Sequence, residues 1–319
     1  MRPVKKALIT HGHADHARPG HEHVLATPET LGIMTVRYKD QCALKKAQAV
    51  AYGEKISVNG VDVTFYPAGH VLGSAQIKLV YKGHSIVISG DYKRRSDPTC
   101  TAFEPVPCDV FVTEATFGLP VFRHPDTKQE ITKFIKSLVT FPDRAHLIGC
   151  YPLGKTQRVL AELREAGYDD VIYHHGALKT MIEYYHSMGI DLGKVEQIIA
   201  GNTKAGQNRK AYNGKIVLCP PSVLMEKWAR RFEDPVISMA SGWMRIRQRV
   251  KQRGVELPIV MSDHADWDEL QQTIKEVNPE EVWVTHGRED ALVHWCRQEG
   301  YDAQALSLLG YEGEGEEGD

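Results

Sequence analysis

Three imidazoles and a carboxylate fall within six residues at His11-Gly-His13-Ala-Asp15-His16, a density that points to metal-ligand chemistry. The stretch follows a strand-like run, Lys6-Ala-Leu-Ile-Thr10, so it lies where a strand breaks into a loop. On near-extended backbone His11 and His13 point the same way and can grip one ion, while Asp15 and His16 turn toward a second. Imidazole plus carboxylate suits zinc, and less exclusively manganese or iron. The plain alternative is a solvated, His-rich turn, but four ligand-type residues at this spacing rarely coincide.

The pattern H-x-H-x-D-H resembles the signature of the metallo-β-lactamase fold. That resemblance implies a further His and then an Asp, each from a later strand end. Pro67-Ala-Gly-His70-Val-Leu-Gly-Ser74 offers His70 directly after the strand-like residues 61–66. Ile86-Val-Ile-Ser-Gly90-Asp91 offers Asp91 at the end of a buried-looking strand. Alone, either would more often be an ordinary loop residue; in this order, both are expected to be ligands.

The elements around these residues change style along the chain. Residues 54–65 read as a hairpin, with Asn59-Gly60 supplying the two positive-φ positions of a tight turn. Residues 75–89 form a second hairpin around Lys82-Gly83, and Thr27-Pro28 opens a helix. From about residue 126 the rhythm becomes helix 126–140, strand 146–150, helix 155–165, strand 170–173, helix 177–188 and strands 215–219 and 235–239. Such alternation argues a parallel α/β unit. After about residue 255 the first style returns, with strand 258–261, helix 267–277, strand 281–285 and helix 289–299. The expected division is therefore 1–117 and 255–310 for one split domain, 118–254 for an α/β insertion, and 311–319 for a tail.

Size and charge set limits. The 319 residues, 42% of them apolar, suffice for a large core or two domains. The tail from Glu312 to Asp319 holds five acids and no bases, so it is expected to be disordered; without it the net charge of −2 becomes +3. That is too mild to announce nucleic-acid binding. The six cysteines have no C-x-x-C spacing and read as free thiols. With neither a signal peptide nor a membrane-length apolar run, a cytoplasmic soluble protein is expected. Only ten residues precede His11, where proteins of this fold usually begin with additional strands. Either the start has been set late or an edge strand is lacking, which would expose a sheet edge.

An insertion after the Asp ligand resembles the β-CASP nucleases, whose further motifs can be sought. Thr113-Glu114-Ala-Thr-Phe-Gly118 resembles their first motif, Ser262-Asp-His264-Ala-Asp266 their second, and Val284-Thr-His286-Gly287 their third. The resemblance covers residues 1–310. Residues 11–34, with Ala17-Arg-Pro-Gly20 and Leu25-Ala-Thr-Pro-Glu-Thr-Leu31, are most similar to bacterial ligase-associated DNA exonucleases, which are relatives of the Artemis-type enzymes and are themselves often labelled mRNA 3′-end processing factors. The implied fold is α/β: a four-layer αββα metallo-β-lactamase domain carrying an inserted α/β β-CASP domain.

By this resemblance one divalent ion is held by His11, His13 and His70, a second by Asp15, His16 and His286, and Asp91 bridges them. Zinc is the expected metal, with manganese a possibility. The centre keeps a net positive charge and attracts a phosphodiester. His264 is implied as the acid for the leaving oxygen, with Glu114 orienting it; Asp15 and Asp91 complete the catalytic set. Nucleic acid is the implied substrate, and an ATP-dependent DNA ligase and a helicase are implied partners.

Two further features invite phosphate chemistry. Gly149-Cys-Tyr-Pro-Leu-Gly154-Lys155-Thr156 matches the P-loop pattern, but Pro152 removes an amide donor from the loop and no later strand supplies a magnesium-binding Asp. The humbler expectation is that Lys155 and Thr156, at a helix N-terminus, bind a substrate phosphate; a plain helix-capping Gly turn is the alternative. Arg245-Ile-Arg247-Gln-Arg249-Val-Lys251-Gln-Arg253 follows Ser241-Gly242, a turn that the resemblance places near substrate phosphates. Ser241, Gly242 and Arg245 are thus candidate substrate contacts, against a solvated charged face. His21, His23, His174 and His175 are read as structural or exposed, and Trp228, Trp243 and Trp295 as core or interface. The expected activity is 5′ to 3′ DNA exonuclease action in repair. An RNA-processing ribonuclease is the alternative, since a His at the third motif marks RNA enzymes in the wider family. A small-ester or lactone hydrolase and a non-catalytic nucleic-acid-binding protein are remoter.

Overall fold

The computed structural model describes residues 3–39, 46–198 and 209–308. Contacts divide the chain into one unit of residues 1–123 and 264–319 and a second of 124–263.

The first unit begins with β1 (Lys6–Leu8), β2 (His23–Ala26), α1 (Pro28–Tyr38) and β3 (Ala47–Ala49). β1, β2 and β3 form a three-stranded parallel sheet in that order, with β1 and β3 at its edges. Thr27 caps α1, as expected, by accepting from the Thr30 amide. β4 (Lys55–Val58), β5 (Val61–Pro67), β6 (Ala75–Tyr81) and β7 (His84–Ile88) then run antiparallel. The turn at Asn59-Gly60 has the expected positive φ at both residues, and Lys82 and Gly83 adopt positive φ as well. β8 (Val110–Ala115) pairs with β7 in parallel.

The second unit contains α2 (Thr127–Thr140), β9 (His146–Gly149), α3 (Lys155–Glu165), β10 (Ile172–His174), α4 (Lys179–Ser187), β11 (Val195–Gln197), β12 (Ile216–Cys219), β13 (Val236–Ala240), α5 (Arg247–Gln252) and β14 (Leu257–Ile259). Its six strands form one parallel sheet in the order β11-β10-β12-β9-β13-β14. Short apolar runs such as Ile216–Cys219, buried at every position, are what a parallel sheet covered on both faces requires. β14 differs from expectation. It pairs with β13 rather than returning to the first unit, so the chain leaves this unit after Asp263, not at residue 255. Its three residues are too few to carry a periodicity that would assign them.

The first unit resumes with α6 (Trp267–Val277), β15 (Glu281–Gly287), α7 (Glu289–Gln298) and β16 (Asp302–Ala305). The large sheet has the order β16-β15-β8-β7-β6-β5-β4. Period-two side-chain direction builds the layers. Ala7, Val24 and Ala26 pack with Met34 and Leu31 of α1, whereas Leu8 and Leu25 pack on the other face with Val63, Phe65 and Ile77 of the large sheet. On the far side of the large sheet Phe111, Val282 and Val284 pack with Leu270 and Ile274 of α6 and Leu292 and Cys296 of α7. The sequence of layers is helix, sheet, sheet, helix, the αββα arrangement expected.

Among the described residues Cys100, Cys108, Cys150, Cys219 and Cys296 are free thiols, and no helix is long and apolar enough to cross a membrane. Cys42 and the acidic tail lie outside the described residues. Leu270, fully buried, anchors the helix that follows His264. Leu270→Ala is expected to destabilise the fold by about 2–5 kcal/mol in urea unfolding, through lost transfer energy and a residual cavity.

Candidate metal centre

Strand ends of the first unit converge on one carboxylate. Asp91, 4% exposed, follows β7 and the Ser89-Gly90 turn. Its Oδ2 lies 3.5 Å from His11 Nε2, 3.4 Å from His16 Nε2 and 3.8 Å from His70 Nε2, and its Oδ1 lies 3.9 Å from His286 Nε2. His13 Nδ1 and His70 Nε2 approach to 3.0 Å. Two ligand groups result: His11, His13, His70 and Asp91 in one, Asp15, His16 and His286 in the other. Their environments differ. His11 and His70 are buried, whereas the side chains of Asp15 and His286 are 62% and 46% exposed.

The donors fit a cation. His11 Nε2 and Asp91 Oδ1 are buried without a hydrogen-bond partner, which is costly unless something else compensates them. Burial, reinforced by the neighbouring His70, His13 and His16, holds the His11 pKa well below its ordinary value, so its ring is neutral with a lone pair to donate. Thr10 Oγ1 lies 3.2 Å from His11 Nδ1, the nitrogen facing away from Asp91, and can set the ring's tautomer. Burial, then the charge of Glu114, raises the Asp91 pKa; a bound cation would oppose both effects. For Asp15, burial acts upward, but His16 and a backbone hydrogen bond outweigh it and the net shift is downward.

His286 reaches the centre by a break in its strand. β15 runs parallel to β8 with a register shift between Thr285 and Gly287. His286 itself has φ of 56°, an uncommon conformation for a non-glycine residue, and is followed by Gly287 at φ of 144°. A Cβ at Gly287 would lie 2.1 Å from the Ala115 carbonyl, so only glycine lets β15 lie this close to β8.

A third group, Asp91, Glu114 and His264, adjoins the first two. His264 Nδ1 donates to Glu114 Oε2 at 2.9 Å, so Nε2 is the ring nitrogen on the side away from Glu114. The His264 ring lies 4.6 Å from that of His70. Burial pushes the Glu114 carboxyl up, but the adjacent His264 outweighs it and holds the pKa below the usual range. The Tyr92 amide donates to Glu114 Oε1 at 2.8 Å. All nine motif residues are thus brought together.

The second-unit candidates fare differently. The expectation that Lys155 and Thr156 face a substrate phosphate is corrected. Lys155 is 4% exposed, donates to the Met261 carbonyl at 2.7 Å and pairs with Asp263 at 2.7 Å. Thr156 is fully buried and donates to the Tyr151 carbonyl at 2.7 Å. Both serve the interior, because Met261 and Asp263 take up the Lys155 ammonium and the Tyr151 carbonyl takes up the Thr156 hydroxyl, while Gln157 caps the Gly154 amide at the helix start. Ser241 is buried and caps the turn Gly242–Arg245, while Arg245, Arg247, Arg249, Lys251 and Arg253 are exposed. The Arg249 guanidinium lies 3.9 Å from the Trp243 ring centre. His21, His23, His174 and His175 belong to none of the ligand groups. Motif reasoning missed Thr10, the Tyr92 amide and the strained His286-Gly287 step; of these only the glycine leaves a mark in the sequence.

The chain is similar to several known proteins. Residues 257–306 match the family described as the Zn-dependent metallo-hydrolase RNA specificity domain. The chain is 26% identical over 308 residues to the Probable DNA ligase of Opitutus terrae, covering 95% of this chain and 29% of that protein. It is 25% identical to the Probable RNase MJ4 of Methanocaldococcus jannaschii, covering 95% and 87%. It is 23% identical to Cleavage and polyadenylation specificity factor 73 of Drosophila melanogaster, covering 83% and 46%. The chain therefore spans less than a third of the ligase and under half of the factor. A solved protein of unknown function from Enterococcus faecalis V583 has the same fold, with a TM-score of 0.63 at 13% identity over 94% of this chain and 79% of that one.

Gly287→Ala is expected to displace His286 and weaken the more exposed ligand group selectively. Metal analysis after dialysis against zinc is expected to find less metal per chain than in the wild type; an unchanged metal content at unchanged affinity would contradict this geometry.

Proposed function

We propose that the chain is a metal-dependent nuclease of the β-CASP type on the metallo-β-lactamase fold, related to the mRNA 3′-end processing factors, and that it acts as a dinuclear phosphodiesterase that trims DNA from an end, 5′ to 3′. The observation that carries the chemistry is the position of Asp91 between two ligand groups, with the Glu114–His264 pair beside it. In this proposal His11, His13, His70 and Asp91 hold one zinc ion, and Asp15, His16, His286 and Asp91 hold the other. Such ions supply Lewis acidity and a net positive charge that draws in a phosphodiester.

The remaining roles belong to the chain. His264 gives a proton from Nε2 to the leaving oxygen, and Glu114 fixes the ring through Nδ1. Asp15, exposed at the rim, is the ligand that meets solvent and substrate first. Ser241 and Gly242 offer the turn, and Arg245 with its neighbouring cations the charge, for contacts to backbone phosphates.

The choice of DNA is supported by the Opitutus protein, in which a segment similar to nearly all of this chain belongs to a polypeptide named as a DNA ligase. End trimming is chemistry that prepares a substrate for sealing, and a ligase is the fitting partner. RNA is the second reading, favoured by the RNA specificity domain match and by relatives named as RNases. His286, at the third motif, agrees with that reading.

Matched single-stranded DNA and RNA oligonucleotides, labelled at either end and incubated with zinc or manganese, separate the two. Stepwise loss from the 5′ end of DNA, abolished by Asp91→Ala, is the expected result; cleavage of RNA alone would transfer the enzyme to RNA processing. His264→Ala is expected to lower turnover by about 10²–10⁴-fold while metal analysis still finds close to two ions per chain. Loss of an ion in that variant would make His264 a ligand instead.

A further inference from the structure

Residues 91–93 form a junction to which several segments of the centre are tied. Asp91 is the shared carboxylate. The Tyr92 amide donates to Glu114 at 2.8 Å, and the Tyr92 carbonyl accepts from the Ala265 amide, next to His264, at 2.7 Å. The Lys93 amide donates to the Ala68 carbonyl at 3.0 Å, two residues before His70. At Gly69 the approach is so close that a Cβ would lie 2.4 Å from the Lys93 carbonyl. The junction thus touches the segments bearing His70, Glu114 and His264.

This junction is anchored by a buried ion pair. The Lys93 side chain is fully buried, and its ammonium lies 2.5 Å from Asp97 Oδ2. Asp97 is held in turn, because its Oδ1 accepts from the Thr99 amide at 2.8 Å and the Thr99 hydroxyl at 2.6 Å. Cys100, next along, donates from its thiol to the Gly69 carbonyl at 3.4 Å. The loop 97–100 therefore grips both Lys93 and the turn that carries His70.

We propose that the Lys93–Asp97 pair is a positioning element for the metal centre, fixing the relative placement of Asp91, His70 and the Glu114–His264 pair. Burying two charges is expensive, and an apolar pair of similar volume commonly serves stability as well or better. What an apolar pair lacks is direction. A charged hydrogen bond fixes one length and one angle, and the segments tied to Lys93 inherit that geometry. Partners outside the ligands themselves set metal affinity in this way. The proposal rests on the assignment of His70 and Asp91 as ligands.

The test compares Lys93→Met/Asp97→Asn, which removes the ion pair but leaves an oxygen for Thr99, with Lys93→Gln, which retains a donor toward Asp97. Two quantities are read on the full chain: the melting temperature of the metal-free protein, and zinc affinity by competition with a chromophoric chelator. The expected result is melting close to wild type with zinc binding weakened about 10–100-fold in the double variant, and Lys93→Gln in between. Unchanged affinity, or affinity lost only in step with melting temperature, would overturn the proposal. Should the double variant fail to fold, Lys93→Gln decides on the same two readings: weakened binding at unchanged melting supports the role, and unchanged binding removes it. A wild-type chain that takes up no zinc would instead overturn the ligand assignment itself.

Discussion

A carboxylate that is 4% exposed, with imidazole nitrogens of four histidines within 3.9 Å, is an expensive object to fold. Burial alone works against the charge on Asp91, and Glu114 nearby works against it further. The imidazoles do not repay that cost while neutral, and burial with mutual repulsion keeps His11 neutral. Divalent cations satisfy both requirements at once, since neutral imidazoles and an ionised carboxylate are the forms that bind them. The rest of the first unit can be understood as the means of holding these groups together despite their cost.

Parallel pairing supplies much of that means. β7, β8 and β15 lie side by side in parallel, so their C-terminal ends deliver Asp91, Glu114 and His286 to the same edge of the sheet. β1 and β5 deliver His11 and His70 from the two packed sheets. Three of these deliveries, those of His70, Asp91 and His286, end in an irregularity: positive φ at Gly69, Gly90 and His286, and a register shift after Thr285. Regular strands would send alternate side chains to opposite faces, and these breaks let neighbouring residues turn inward instead. The chemistry is placed where regular structure stops, on a scaffold that fixes where it stops.

Much of this was legible in the chain. H-x-H-x-D-H, His70 and Asp91 after apolar strands, and the motifs at Glu114, His264 and His286 identified the nine residues that the structure groups. Hairpins with Asn-Gly and Lys-Gly turns and the long amphipathic helices were equally readable, because turn chemistry and period are local properties. The short strands β2, β3, β11 and β16 were not, since runs such as Ala-Gln-Ala, Val-Glu-Gln and Asp-Ala-Gln-Ala have neither a period nor the apolar content that marks β12. β14 reads in the sequence as part of the resumed first unit, whereas it pairs with β13 in the second. Lys155 and Thr156 mark a different boundary: their motif is local, but whether a helix start faces solvent or interior depends on residues 261–263, about a hundred positions away. The Lys93–Asp97 pair was invisible too, because nothing in Lys-Arg-Arg-Ser-Asp distinguishes a buried ion pair from a solvated loop.

The central claim is that one carboxylate is shared by two ions. Crystals grown with zinc, with anomalous diffraction data collected on either side of the zinc edge, test it most directly. The account predicts two anomalous peaks, one on each side of Asp91, each within about 2.0–2.2 Å of one of its oxygens. One peak should lie against His11, His13 and His70, the other against Asp15, His16 and His286. A single peak, or two peaks of which one is not in contact with Asp91, would contradict it.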